Sequence, residues 1–393
     1  MSIRSKCIYI LGHPDFSYLH RQKHFVISRP VHIERRFHHW DRSSYRGYHS
    51  TAAMEGVLPP LDSGKLIANN SKDVSIDNSG VSSVAHLVVD LAKKGEFSVK
   101  MWKEHPLNPK TMDEAAVKWV FLADTLNFSF WSASDEEKYM VRYGGSDHTG
   151  YWSLCAAINR ALDKGIPITD PSFYASISRE TFTQLFYSDS PYEMPMIDER
   201  VKVLQEAGTV LMQKYGGSFV NCIKECDKSA QSLMRLVLKD FPAYRDIADF
   251  NGKKVAFYKR VQILIADIWG ACEGKGLGEF HDIDTITMFA DYRIPQALVY
   301  FGALKYSKEL MELLQKDTLL KSGDRVEMEI RGCSIWVTEL ICQEARKLLD
   351  AEKKSSGAEM NAILIDHYLW DYRRDHAAEM ADIPFHKVRC IYY

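Results

Sequence analysis

What most limits how this chain can fold is a helical spacing of apolar residues that recurs along most of its length. Val261, Leu264, Ile265 and Ile268 fall at i, i+3, i+4 and i+7, which predicts an amphipathic helix over 259–270. Val81, Val84, Ala85, Val88 and Ala92 share a face in the same way, with the Ser-rich stretch near Ser79 as a candidate cap. Trp152, Cys155, Ala156, Asn159 and Arg160 continue the pattern until Gly165-Ile166-Pro167 ends it. Further helices are expected through Val337, Leu340, Ile341, Ala345 and Leu348, and over the aromatic-rich stretch 360–372. Strand signals are few. Residues 139–143, followed by Gly144-Gly145, read as half a hairpin, and 326–330 alternates weakly. Without a βαβ rhythm, a GxGxxG or a GxxxxGK[ST], neither a dinucleotide fold nor a P-loop is supported. The expected fold is mostly α: a single helical domain with few short strands.

The expected boundary lies at Met54. The first 53 residues hold nine Lys/Arg against three Asp/Glu and seven of the fourteen histidines, and their apolar residues keep no period. That composition reads as a weakly ordered basic extension upstream of a second start at Met54, in preference to a mitochondrial targeting peptide, and leaves 54–393 as the folded domain. The stretches 274–278 and 352–357 read as exposed loops too short to separate domains. The extension carries a net +6, so the remainder carries −8 of the overall −2, which argues against a protein that lives on long nucleic acid. No run of some eighteen apolar residues exists, so no membrane span is expected. Eight scattered cysteines, of which only Cys222 and Cys226 are close, read as reduced thiols in a cytoplasmic protein, with no metal site.

Three places carry unusual chemistry. Asp291 follows the apolar run 286–290 and precedes Tyr292-Arg293-Ile294-Pro295; since proline suits a first helical turn, Asp291 stands at a helix mouth, either as its cap or as a catalyst. Lys259 follows two aromatics and opens an apolar helix. It is either a lysine with a loosened proton, a point charge for a phosphate, or a helix-end residue whose stem covers apolar surface. In Asp366-His-Tyr-Leu-Trp-Asp-Tyr372, Asp366 and Trp370 share a helix face, and Asp371 lies about 100° further round. Packed aromatics with solvated acids would give the same string.

Several strings go further. Asp124-Thr-Leu-Asn-Phe-Ser-Phe-Trp131, Gly150-Tyr-Trp-Ser-Leu-Cys-Ala-Ala157, Phe257-Tyr-Lys-Arg260, Thr287-Met-Phe-Ala-Asp-Tyr-Arg293, Glu329-Ile-Arg-Gly-Cys-Ser334 and Arg389-Cys-Ile-Tyr-Tyr393 together resemble the queuosine 5′-phosphate N-glycosylase (queuosine salvage) family. The resemblance runs from Met54-Glu-Gly to the last residue. It implies a fold related to the helix-hairpin-helix DNA glycosylases, and hydrolysis of queuosine 5′-monophosphate to queuine and ribose 5-phosphate, without a cofactor. It also implies catalysis by Asp291 with Lys259, and base recognition by Asp366, His367, Trp370 and Asp371, with His105 and Phe289 as further pocket residues. The phosphate donors are expected among Arg293, Lys259, Arg260 and Arg331, although Arg331 could instead hold a buried ion pair. Asp124, Asn127, Trp131, Trp152 and Asn159 read as polar and aromatic core elements.

The substrate sharpens these expectations. Queuine is a 7-deazaguanine, so protonating N7 cannot assist its departure, and more falls on a carboxylate beside the sugar. A small-molecule nucleotide is the expected partner, with no stable nucleic-acid complex. Two other readings remain: a base glycosylase acting on nucleic acid, which needs a basic face, and a non-catalytic tRNA or queuosine-binding factor, which needs a basic stripe and no deep pocket.

Overall fold

The computed structural model describes residues 56–134, 137–351 and 359–393, so the basic extension 1–53 and the loop expected at 352–357 lie outside the described residues. The described chain is mostly helical, with strands of only two to four residues. Expected helices stand at Asn78–Lys94, Tyr151–Asp163, Lys259–Ala271 and Ala362–Asp375. The first is capped by Asp77 rather than by a serine, its carboxylate accepting from the Ser79 amide at 2.8 Å. Among the described residues, no helix is long and apolar enough to cross a membrane.

The strand expected at 326–330 is a correction. These residues belong to the 27-residue helix Arg325–Ala351. Reading Val-Glu-Met-Glu-Ile as a strand assumes that the acids face water, yet Glu327 and Glu329 are both fully buried. Glu329 accepts from the Lys72 and Asp73 amides at 3.1 and 2.8 Å, and Glu327 pairs with Arg331 at 3.0 Å. Against this helix lies Pro60–Asn70, and the two backbones approach so closely that a Cβ on Gly332 would meet Ile67 at 2.6 Å. Glycine is required at that crossing.

Three small strand pairings deliver residues to one region. Met140–Tyr143 pairs antiparallel with Ser146–Thr149 through Gly144 and Gly145, both at positive φ as a tight hairpin demands, and hands the chain to the Tyr151 helix. Ile247–Phe250 pairs with Lys253–Ala256, which runs through Phe257 and Tyr258 into the Lys259 helix. Tyr258 turns that corner in the left-handed region at φ 50°. Leu319–Leu320 pairs in parallel with Lys387–Val388.

Arg331 joins these pieces. Its guanidinium reaches Asp246 Oδ2 at 2.5 Å and Glu327 Oε1 at 3.0 Å, donates from Nε to the Ala290 carbonyl at 2.9 Å, and lies between the Phe257 and Tyr393 rings. Replacing it with methionine strands two buried carboxyls and is expected to cost about 3–5 kcal/mol, measured by urea unfolding. A loss below about 1 kcal/mol would show that the site's frame does not rest on this ion pair.

Candidate active site

A cavity of about 820 Å³ opens between the segment after the Glu114–Thr125 helix, the start of the Lys259 helix, the turn at Asp291 and the carboxyl-terminal helix Ala362–Asp375. Its wall includes Lys259, Asp291, Arg293 and Trp370. Residues 32 positions apart in sequence thus share one surface, because Arg331 ties Ala290 to Asp246, and Asp246 Oδ2 in turn accepts from the Lys259 amide at 3.3 Å.

Asp291 caps the helix mouth, one of its two sequence readings, and it also faces the cavity. One oxygen, Oδ1, accepts from the Arg293 and Ile294 amides at 2.7 and 2.9 Å, capping the helix Ile294–Tyr300 in which Pro295 occupies the first turn. The residue is also half-buried on the cavity wall. A three-residue turn, with the Asp291 amide donating to Phe289 O at 2.6 Å, fixes how the carboxylate emerges.

Lys259 is 5% exposed. Its ammonium donates to Asn127 O at 3.2 Å and to Asn127 Oδ1 at 3.0 Å. Burial loosens its proton, and the charges of Asp291 and then Asp124 oppose that effect.

The other expected residues divide by depth. Phe289, Asp366 and His367 lie a layer behind the wall: Asp366 Oδ2 accepts from the Phe289 amide at 2.8 Å, and the His367 ring lies 5.9 Å from that of Phe289. Burial, with the nearby Asp291 charge, holds the Asp366 carboxyl well above the usual carboxylate range. His367 Nε2 is 3.8 Å from Asp267 Oδ1, and burial pushes its imidazole down to about 4. His105 stands off the cavity, stacked at 3.3 Å on Trp152, whose ring meets Trp370 edge-on at 5.6 Å. Asp371 is exposed and off the wall.

Arg331 and Arg260 are framework, not phosphate donors: Arg260 is buried and donates to the carbonyls of Thr125, at 2.6 Å, and Ala243. Asn127 and Trp131, read from sequence as core elements, face the cavity. Asn159 does hold the core, accepting from Trp119 Nε1 at 2.7 Å.

Comparisons with known proteins identify the family. The family model described as queuosine salvage protein matches residues 107–393. The chain belongs to the queuosine salvage protein family. Three relatives, each named queuosine 5′-phosphate N-glycosylase/hydrolase, span the range of similarity. The one from Bos taurus is 54% identical over 341 residues, covering 86% of this chain and all of the relative. That from Schizosaccharomyces pombe is 39% identical over 352 residues, 85% of this chain and 99% of the relative. That from Sphaerobacter thermophilus is 33% identical over 336 residues, 86% of this chain and 98% of the relative.

The structure also points to residues not singled out from the sequence. Arg373 and Arg374 line the cavity one turn beyond Trp370, a position visible in the helical spacing once Trp370 is placed. Asp267 was also legible, as an acid inside the apolar run Ile-Ala-Asp-Ile-Trp269. The half-buried imidazole of His367 gives a direct check: its NMR titration midpoint is expected near 4, and one near 6.5 would place the ring in water.

Proposed function

We propose that this protein hydrolyses the N-glycosidic bond of queuosine 5′-monophosphate, releasing queuine for reuse in tRNA modification. The observation that carries this reading is the pair Lys259 and Asp291 on one wall of a deep cavity. As the bond between C1′ and the base nitrogen breaks, its electrons leave with the base and positive charge develops on the sugar. The Asp291 carboxylate stabilises that charge, and water supplies the oxygen that replaces the base at C1′. Lys259, its proton loosened by burial, assists the departing base, for which N7 offers no protonation site. Trp370 gives the base an aromatic face, backed by His105 through Trp152, with Phe289, Asp366 and His367 in the layer behind the wall.

The 5′-phosphate goes to the wall formed by Arg293, Arg373 and Arg374. Burial pushes the Arg373 guanidinium down to about 10, with Arg293 the next cause, so an arriving dianion relieves like-charge repulsion. Arg373 Nε is buried without a hydrogen-bond partner among the described residues. The helix-hairpin-helix relationship rests on the same lysine–aspartate pair. A cytoplasmic location is supported by seven buried free cysteines among the described residues, and the absence of a stable nucleic-acid complex by the −8 balance beyond residue 53.

Asp291→Asn keeps a side-chain oxygen for the cap but removes the charge, so queuine release is expected to fall at least ~10³-fold while melting changes little. Near-parental turnover by that variant sinks the assignment. Arg373→Ala is expected to raise KM for the monophosphate ~10-fold or more, with little effect on the unphosphorylated nucleoside, in steady-state assays. Equal losses on both substrates would move the phosphate elsewhere.

A further inference from the structure

Lys259 presents three N–H groups, and Asn127 takes two of them, one at its backbone carbonyl and one at its side-chain oxygen. Among the described residues the third has no acceptor, and Lys259 lies on the cavity wall. An ammonium can only donate, so Asn127 must turn Oδ1 toward Lys259 and its amide N–H groups away. On that far side Asp124 Oδ1 accepts from Asn127 Nδ2 at 3.2 Å. Asp124 ends the Glu114–Thr125 helix, is fully buried, and does not reach the cavity wall.

We infer that Asp124, acting through Asn127, is a positioning residue that aims the remaining N–H of Lys259 at the substrate. The inference rests on the reading of Lys259 as part of the catalytic site, and adds to it the device that orients the ammonium. As a structural element Asp124 is inefficient: Oδ2 is buried with no hydrogen-bond partner among the described residues, a cost the fold carries without a local return. As an orienting element it fits. It gives Asn127 an acceptor on one side to match the donor on the other, so the amide has one satisfactory orientation and not two.

The charge of Asp124 has a second effect, because it opposes the loss of the Lys259 proton. The groups facing Asp124 are Lys259, Arg260 and Asp267 on the Lys259 helix, Tyr151 and Cys155 on the helix Tyr151–Asp163, and Tyr244. Asp267 competes for the same cation and is held well above the usual carboxylate range by burial and by Asp124. Lys259 itself also faces Asp291 and Asp366. Removing a negative charge from this set lowers the pH at which Lys259 gives up its proton.

The test measures kcat, KM and the pH dependence of kcat/KM on queuosine 5′-monophosphate for Asp124→Leu, Asp124→Asn, Asn127→Ala and Lys259→Met, with melting curves for each. Asp124→Leu and Asn127→Ala are expected to lose at least tenfold in kcat with KM within threefold. Asp124→Asn, which keeps an acceptor for Asn127 but not the charge, should lose less than Asp124→Leu and should move the alkaline limb of kcat/KM to lower pH. Because Asp124→Asn is isosteric, it tests the inference even if Asp124→Leu fails to fold. An unshifted alkaline limb in Asp124→Asn, or parental kcat in Asn127→Ala, overturns the inference while leaving the site reading intact if Lys259→Met is inactive. Parental turnover by Lys259→Met instead removes the reading on which the inference stands.

Discussion

One buried guanidinium sets the geometry on which the rest of this molecule depends. Arg331 binds the carbonyl immediately before Asp291, binds Asp246, which in turn holds the Lys259 amide, and is stacked between Phe257 and Tyr393. Both candidate catalytic backbones therefore hang from a single rigid plane. Such a pair adds little net stability against an apolar replacement, because desolvating the ions offsets much of their attraction. What it supplies is direction. A planar fork with fixed donors holds three chain segments at set angles in a way that apolar contacts cannot.

On that frame the charges are sorted. Asp124, Asp267 and Asp366 lie buried around Lys259, while Arg293, Arg373 and Arg374 gather on the cavity wall. Burial favours the neutral forms of Asp267 and Asp366, which can then offer both donors and acceptors. The arrangement suits a ligand with a guanine-like edge and a cationic side chain at one end and a phosphate at the other.

Much of this was legible in the chain. Helical spacing located the Lys259 helix to within one residue of its end, and Pro295 placed Asp291 at a helix mouth. The error at 326–330 has a definite cause: alternation of apolar and acidic residues signals a strand only when the acids are solvated, and Glu327 and Glu329 are not. Asn127 was read as core and is buried, but no local pattern could show its bond to Lys259, 132 residues away. From its neighbours alone Asp291 could be cap or catalyst; the resemblance implies catalysis, and the structure adds that one oxygen caps the Ile294 helix while the residue lines the cavity.

The cavity draws its wall from residue 127 at one extreme and residues beyond 380 at the other. Lys387–Val388 must pair with Leu319–Leu320, and the Tyr393 carbonyl must accept from the Ser129 amide at 2.9 Å, before that wall is complete. The helices can therefore be packed while the cavity still lacks a side, until the residues beyond 380 are seated. A fragment that stops short of residue 380 keeps most of the helices and loses one side of the cavity.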